Sequence, residues 1–249
     1  MKKILLSALL FVLATSLPAF AKSYVNGIDA NYPPFAYVDE KSGQPAGFDV
    51  ESLDWIARAM GFEIKHMPVA WDGIIPALLA KKIDMVCSGM SITADRAKQV
   101  NFSNPYWKLY NVFVVKQASA LGVKDILGKP AKVGGQRGTN EAAALIREQK
   151  EKKYPMEVRL YESAPLMVED VLNGRIDAAL MDSLPAQDSI AKGKAIAIAG
   201  PHGEPVLFGV AMRKGESDVE QLVNEGYAKL MADPFWKQLQ EKYNVKPLD

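Results

Sequence analysis

The run Trp71–Arg96, WDGIIPALLAKKIDMVCSGMSITADR, contains a predicted helix, a predicted strand and the polar turn that follows them. Residues 73–80 have the pattern of a helix, and residues 83–87 form a continuous apolar strand. Residues 88–93 then make a small, hydroxyl-rich turn that ends just before Arg96. Free amides and hydroxyls beside an arginine suit a carboxylate, because the guanidinium offers a planar pair of donors. The run therefore predicts an α/β fold with an anion site beyond a strand.

Strand-like and helix-like segments alternate along the rest of the chain, which predicts mostly parallel sheets flanked by helices. The segments LAKKID (79–84) and LNGRID (172–177) both have the pattern of a helix end, a turn and a strand start. This echo favours two lobes of similar construction, although six residues alone do not decide a fold. The predicted helices are 49–60, 73–80, 141–150, 163–172 and 217–231, and the predicted strands are 24–28, 62–67, 83–87, 111–116, 132–134, 157–161, 176–181 and 206–212.

The first 21 residues have the pattern of a secretory signal peptide. Lys2 and Lys3 precede an apolar stretch, Ile4 to Leu13, and Ala19-Phe20-Ala21 has the form of a cleavage site. The apolar stretch is shorter than the ~20 residues that a membrane-spanning helix needs. We therefore expect an exported, periplasmic protein that is not inserted in the membrane after cleavage.

Composition excludes several classes of function. The 249 residues include 30 Lys+Arg and 29 Asp+Glu, and removing Lys2 and Lys3 leaves 28 basic residues against 29 acidic ones. This balance gives no support for nucleic-acid or anionic-membrane binding. The two histidines have no ligand cluster near them, so no metal is expected. The glycines of 134–140 match neither the dinucleotide nor the P-loop spacing, so no cofactor is expected. Cys87, the single cysteine, is expected to be a buried apolar side chain.

Candidate site residues come from the rule that ligands bind beyond the carboxyl ends of strands in open α/β sheets. Polar groups at such positions are Asp29, Ser88 to Ser91, Gly138 to Asn140, and Asp182. Each has a plain structural alternative. Asp95 could neutralise Arg96, Asp182 could cap the helix that follows it, and Gly138 to Asn140 could be an ordinary turn. Likewise, Tyr32, Phe35 and Trp71 could be core residues or the walls of a slot.

The order of motifs over the whole mature chain resembles the polar amino-acid family of periplasmic solute-binding proteins (family 3 extracellular solute-binding proteins), which feed ABC importers. The matching residues are Tyr32-Pro33-Pro34-Phe35, Gly47-Phe48-Asp49-Val50, Trp71-Asp72-Gly73-Ile74-Ile75-Pro76-Ala77-Leu78, Ile83-Asp84, Ser88-Gly89-Met90-Ser91-Ile92-Thr93, Arg96, Phe102-Ser103-Asn104-Pro105-Tyr106, Gly138-Thr139, Asn173-Gly174-Arg175-Ile176-Asp177 and Asp182.

The resemblance implies a two-lobed type II periplasmic-binding-protein fold with two hinge strands, in which the ligand is clamped between mostly parallel sheets. The implied boundaries place lobe 1 at 22–109 and 210–249 and lobe 2 at 110–209. By position, Arg96 corresponds to the residue that grips an α-carboxylate and Asp182 to the one that pairs with an α-ammonium. Further ligand-binding positions implied by the match are Asp29, Tyr32, Trp71, Ser88, Gly89, Ser91, Thr139 and Asn140.

The resemblance also implies a monomeric, non-catalytic receptor that closes on a free amino acid and delivers it to a membrane permease. Two departures leave the ligand open between polar and basic amino acids. The first lobe has no disulfide, unlike many binders of basic amino acids. Arg137 stands beside the implied site and would repel a cation, whereas Asp29 would attract one.

Two other functions compete with this one. Cyclohexadienyl (prephenate/arogenate) dehydratases share many of these motifs, but no further carboxylate suited to a general acid is obvious beside Asp182. A sensor domain of a kinase or channel would need a membrane span after the domain, and we expect none before the last residue, Asp249.

Overall fold

The computed structural model describes residues 22–247, which form two lobes, each built around a five-stranded sheet flanked by helices. The first sheet has the order β5-β1-β6-β13-β7, and the second has the order β10-β9-β11-β8-β12. Their strands are β1 (Ser23–Ile28), β5 (Glu63–Pro68), β6 (Met85–Val86), β7 (Val100–Phe102), β8 (Trp107–Lys116), β9 (Lys132–Gln136), β10 (Glu157–Tyr161), β11 (Ala178–Asp182), β12 (Ile196–Phe208) and β13 (Ala211–Arg213). A small third sheet joins β2 (Asn31–Tyr32), β3 (Ala36–Val38) and β4 (Pro45–Ala46).

Each helix predicted from the sequence is present, as are the predicted helix through 184–190 and the final short helix that opens at Asp233, whereas the helix Val123–Gly128 was not predicted. The described helices are α1 (Phe48–Met60), α2 (Ile74–Leu79) after a 3-10 turn (Trp71–Gly73), α3 (Ala94–Ala97), α4 (Val123–Gly128), α5 (Asn140–Glu151), α6 (Ala164–Leu172), α7 (Ser183–Ala191), α8 (Ser217–Ala232) and α9 (Pro234–Lys242). The predicted end of α1 is confirmed in detail, because Gly61 has φ 75 and ψ 37, the left-handed conformation that glycine adopts without strain.

Both sheets have the same topology, and the predicted fold class is confirmed. In each sheet four strands run in one direction, and a single strand, β13 or β8, runs against them. The short echo noted in the sequence occupies equivalent places. The Asp84 carboxylate accepts the Val25 N–H at 2.9 Å, and the Asp177 carboxylate accepts the Lys132 N–H at 2.8 Å. Asp84 thus ties the start of β6 to β1, and Asp177 ties the start of β11 to β9.

Two long antiparallel strands, β8 and β12, connect the lobes. They pair from Trp107 opposite Phe208 to Lys116 opposite Ile196, with register shifts at two places in β12. Trp107 packs in the core of the first lobe, whereas Phe113 packs in that of the second. The lobe boundary expected at 109/110 falls within β8, and the one expected at 209/210 falls just after β12. Both boundaries stay predictions.

Helix α1 shows how the first lobe is packed. Phe48, Leu53 and Ile56 are completely buried on one side of it, as the spacing of apolar residues predicted. Burying each such side chain stabilises the fold by about 1.5–3 kcal/mol. The helix approaches α8 closely, because a Cβ built on Gly226 would lie 2.3 Å from Cγ2 of Ile56. A glycine is therefore required where these helices cross.

Two predicted strands are divided differently in the structure. The segment 83–87 pairs as a strand only at Met85–Val86, because the Asn26 side chain takes the place of a neighbouring strand at Cys87. Asn26 Oδ1 accepts the Cys87 N–H at 2.7 Å, and Asn26 Nδ2 donates to the Cys87 carbonyl at 3.1 Å. The segment 206–212 splits after Phe208, since the chain leaves the second sheet there and enters the first as β13.

The predicted signal peptide lies outside the described residues. Within residues 22–247 no helix is both long and apolar enough to cross a bilayer. Cys87 is buried and free, as expected for an apolar core side chain.

Asp49, at the start of α1, makes stability depend on pH. Burial raises the pKa of this carboxyl from 3.8 to about 7, against the hydrogen bonds from Tyr106 Oη and the Gly89 amide. The folded state therefore holds a proton that the unfolded chain has lost between these values, so stability falls as pH rises through that window. At pH values above this window, the ionised Asp49 carboxylate lowers the free energy of unfolding by on the order of 4 kcal/mol.

We expect Asp49→Asn to flatten this dependence, since the amide oxygen still accepts the Gly89 N–H and carries no charge. Calorimetric unfolding between about pH 4 and about pH 8 measures how stability changes with pH. The exposed Asp95→Asn serves as the control and should keep the wild-type slope. An unchanged slope in Asp49→Asn would contradict the assignment.

Candidate functional site

A pocket between the two lobes brings together nine of the ten residues predicted for the site. Its lining is Asp29, Tyr32, Trp71, Ser88, Gly89, Ser91, Gln136, Thr139, Asn140, Glu141 and Asp182. The tenth residue, Arg96, lies against Ser91 and Gly138 at its edge. Asp29 follows β1, and Gln136 and Asp182 end β9 and β11, so the pocket sits at the carboxyl ends of strands in both sheets.

Arg96 is a buried cation with no carboxylate bonded to it. It is 7% exposed, and it donates from Nη1 to the Ser91 carbonyl (2.9 Å) and from Nη2 to the Gly138 carbonyl (3.1 Å), one in each lobe. These bonds use two of its five N–H donors. The guanidinium also lies 5.4 Å from the Trp71 ring centroid, within cation–π range. Asp95 pairs instead with Lys98, so the alternative that Asp95 neutralises Arg96 is wrong.

Asp182 faces this cation as a buried carboxyl. It lies directly opposite Asn111 in the pairing of β11 with β8, which puts both side chains on one face of the sheet. Asn111 Nδ2 donates to Asp182 Oδ1 at 3.1 Å and to Glu141 Oε1 at 2.5 Å, and Tyr32 Oη donates to Asp182 Oδ2. Asp182 makes no side-chain cap bond to α7, so the alternative of a helix cap is also wrong.

The electrostatics of the site are dominated by burial. Burial, followed by the nearby Glu141 charge, holds the pKa of Asp182 well above its usual range. Burial likewise raises the pKa of Asp29, against the stabilising bond from Gln136. The pKa of Arg96 is lowered by burial and raised again by Glu141 and Asp182. Three buried carboxyls, Asp29, Glu141 and Asp182, thus share the pocket with the buried guanidinium at its edge, and the charges of Glu141 and Asp182 act on it.

Asp29 is joined to the second lobe through Gln136. Gln136 Nε2 donates to Asp29 Oδ2 at 2.7 Å and approaches the Glu162 carbonyl at 3.3 Å. Asp29 is 5% exposed, and its own backbone N–H donates to Ser88 Oγ at 3.0 Å. This chain of bonds closes one end of the pocket.

Several predicted site groups already have partners within the protein. The Gly89 N–H donates to Asp49 at 2.6 Å, and a Cβ on Gly89 would lie 2.4 Å from the Tyr32 ring. The Thr139 hydroxyl caps α5 by accepting the Ala142 N–H, so residues 138–140 do form a strand-to-helix turn, and Thr139 and Asn140 also line the pocket. About 20 Å³ remains open to a water-sized sphere, space for roughly one water. The described conformation is closed.

Arg137 lies at the mouth of the cleft, outside the pocket lining. Its guanidinium is 3.7 Å from the Asp72 carboxylate of the other lobe, and both side chains are about half exposed (49% and 43%). Next to it, a Cβ on Gly138 would lie 2.8 Å from Asp72 Cα. The two lobes therefore touch backbone to backbone at this point.

Three residues of the site were missed in the sequence. Asn111 lies inside β8, where a polar residue gave no distinct signal, and Gln136 is the last residue of β9, two residues beyond the predicted end of that strand. Glu141 lies in the first turn of α5, where an acidic residue is usual whatever its function. Because Glu141 is 4% exposed and lines the pocket, the expectation that no further carboxylate lies beside Asp182 was wrong. Among the described residues no group of His, Cys, Asp or Glu has the arrangement of a metal site.

A two-lobed α/β protein with a closed, charged cleft at the strand ends is a binding protein for a small polar solute. The chain belongs to family 3 of the bacterial extracellular solute-binding proteins, whose model matches residues 24–246. This finding confirms the resemblance that the motifs predicted.

Two relatives show the range of ligands named in this family. The chain is 36% identical over 258 residues to the L-arginine-binding protein of Pseudomonas aeruginosa, covering 98% of this chain and 96% of the relative. It is 34% identical over 221 residues to the L-cystine-binding protein TcyJ of Escherichia coli, covering 87% and 80%.

Two solved structures share the fold over nearly their whole length. An ancestral arginine-binding protein bound to arginine matches with a TM-score of 0.82 at 30% identity, covering 90% of this chain and 99% of that one. An ancestral amino-acid-binding protein, described as a precursor of cyclohexadienyl dehydratase, matches with a TM-score of 0.81 at 32% identity, covering 89% and 95%.

Gly138→Ala should open the cleft, because the added methyl group would overlap Asp72 in the closed state. Small-angle scattering of the ligand-free protein should show a larger radius of gyration. Gly193→Ala is the matched control: its φ of +83 is close to the +80 of Gly138, but nothing lies within 4 Å of its Cβ. Equal radii for the two variants would contradict backbone contact as the cause.

Proposed function

We propose that the protein is the substrate-binding component of an ABC importer and that it binds an amino acid with a cationic side chain between its lobes. The observation that carries this proposal is the placement of Arg96 and Asp182 as buried, opposite charges at one pocket. An α-carboxylate and an α-ammonium supply the complementary charges in a single small molecule. The family and the names of the relatives support it.

The carboxylate end would take the three N–H donors of Arg96 that the protein leaves free. The ammonium end would take Asp182, displacing the Tyr32 hydroxyl that holds Asp182 in the described conformation. Trp71 and Tyr32 would enclose the carbon chain between these ends. Because the groups come from both lobes, the ligand is fully bound only when the cleft is closed.

The preference for a cationic side chain follows from the charge count of the site. Asp29, Glu141 and Asp182 are each less than 7% exposed, and Arg96 alone opposes them. A neutral zwitterion would pair its one ammonium with Asp182 and leave Asp29 either protonated or ionised without a cation, whereas a second ligand cation would favour the ionised form of Asp29. Arg137, the residue that argued against a cation, is turned to Asp72 at the cleft mouth. Asp29 is the natural partner for the distal cation.

Arg96 and Asp182 form the charged clamp of the proposed site, and removing either charge should greatly weaken amino-acid binding. We expect Arg96→Ala and Asp182→Asn each to weaken amino-acid binding by roughly 2–5 kcal/mol, the range for a buried pair that loses one member. Titration calorimetry with arginine, lysine, histidine and glutamine measures this. Asp95→Asn, next in sequence but exposed and bound to Lys98, should bind as the wild type does. Near-native affinity in either clamp variant would contradict the proposal.

Ligand binding should release a proton. The raised pKa of Asp182 means that the ligand-free site keeps a proton to higher pH, and an ammonium ligand favours the ionised form. Affinity should therefore rise with pH by up to about tenfold per unit until Asp182 is ionised in the free protein. Calorimetry in buffers of different ionisation enthalpy counts the protons.

Glu141→Gln should move this rise to lower pH, since it removes the neighbouring negative charge. It should also reduce the preference for lysine or arginine over glutamine. A pH profile and a selectivity both equal to those of the wild type would show that Glu141 does not act on the ligand.

A second candidate, a dehydratase on the same scaffold, is favoured by one observation: the extra buried carboxyl of Glu141 beside Asp182, one of which could act as a general acid. The binding proteins among the relatives favour the receptor. We expect no phenylpyruvate to form from prephenate in a spectrophotometric assay, and turnover that Glu141→Gln abolishes would reverse this choice.

A further inference from the structure

A second, larger cavity lies at the cleft mouth and shares a wall with the pocket. It has a volume of about 570 Å³, and both Asp29 and Trp71 line it as well as the inner pocket. Its other walls come from both lobes: the loops around Ala30–Asn31 and Pro68–Ala70, and the start of α6 with Glu162, Ser163, Pro165 and Leu166. We call it the outer cavity.

Asp29, bonded to Gln136, lies where the two spaces meet. Gln136, which lines the inner pocket but not the outer cavity, donates to Asp29, and Asp29 lines both. Gln136 also reaches the carbonyl of Glu162, whose residue lines the outer cavity. A side chain that passes Asp29 would have to displace the uncharged Gln136 amide from Asp29 and from the Glu162 carbonyl.

The chemistry of the outer cavity is acidic and apolar. Asp29 and Glu162 line it, and no lysine or arginine is among its lining residues. Leu166 is 54% exposed, the highest value among the exposed large apolar side chains of the described chain. Trp71, the proline, valine and alanine side chains and two uncharged polar residues, Asn31 and Ser163, complete the wall. An alkyl stem would cover this apolar surface, and a distal cation would meet Glu162.

We propose that the outer cavity is a subsite for the far end of an extended amino acid, one whose side chain passes Asp29 on an alkyl stem and ends in an ammonium group. The inference rests on the proposed function, because the α-carboxylate and α-ammonium of the same ligand occupy the inner pocket. It goes beyond that function in assigning a ligand class longer than the common basic amino acids.

The probes are L-lysine, L-arginine, Nε-acetyl-L-lysine and Nε-glycyl-L-lysine. All four carry the same α-amino-acid head. The last two extend the lysine stem by an amide, and only Nε-glycyl-L-lysine ends in a distal ammonium. Titration calorimetry of the wild-type protein should show binding of Nε-glycyl-L-lysine at least as tight as that of Nε-acetyl-L-lysine.

Leu166→Trp fills the outer cavity from an exposed position and leaves the inner pocket untouched. It should lower the affinity for Nε-glycyl-L-lysine by at least about tenfold while that for lysine and arginine stays within about twofold. Leu160→Trp, at a leucine that is 41% exposed and outside both cavities, is the matched control and should change neither. Glu162→Gln should weaken Nε-glycyl-L-lysine by up to about fivefold and leave Nε-acetyl-L-lysine unchanged.

The outcomes separate the two proposals. If lysine or arginine binds but Nε-glycyl-L-lysine does not, or if Leu166→Trp weakens short and extended ligands alike, the subsite is overturned and the receptor function stands. If none of the four ligands binds, the proposed function itself fails, and the subsite fails with it.

Discussion

The burial of like charges between the lobes is the constraint on which the rest of the site depends. Three carboxyls and one guanidinium have been taken out of water, and each such charge is costly unless it is bonded. The protein meets this cost across the cleft: Tyr32 bonds Asp182, Gln136 bonds Asp29, and the Gly138 carbonyl accepts from Arg96. Every one of these bonds joins one lobe to the other. The groups proposed to bind a ligand are therefore the same groups that join the lobes across the cleft, and under the proposed function a ligand would replace these internal partners.

Much of the fold could be predicted because its periodicity is carried by apolar residues. The alternation of strands and helices placed the elements, and the six-residue echo around Asp84 and Asp177 proved to be a repeated tie between equivalent strands. What could not be predicted was pairing made by side chains. The Asn26 side-chain amide bonds to the backbone of Cys87, just after the end of β6, and no hydrophobic pattern distinguishes such an asparagine from one in a loop. The break after Phe208 depends on a change of sheet, which is a tertiary event.

The candidate site was predictable where its residues stand at the ends of elements, as Asp29, Ser88, Arg96 and Asp182 do. The residues that tune those charges stand elsewhere. Asn111 is in mid-strand, and its role depends on lying opposite Asp182 in an antiparallel pair. Glu141 resembled an ordinary acidic residue in a first helical turn until its burial was known. Arg137 is directed toward Asp72 of the other lobe, a contact between residues that are far apart in the sequence. The sequence therefore indicated where the charged site residues stand, but not which other residues alter their charges.

The two strands that connect the lobes carry a mechanical consequence. The ladder between β8 and β12 is interrupted between Ile198 and Gly200 and again between His202 and Val206, while Gly200 has a φ of 149. A ribbon with two irregularities bends and twists at those places while its regular pairs stay bonded. The angle between the lobes can therefore change at these two places while most of the ladder is kept. Under the proposed function, a ligand that replaces only a few hydrogen bonds in the cleft would alter the relative orientation of the lobes.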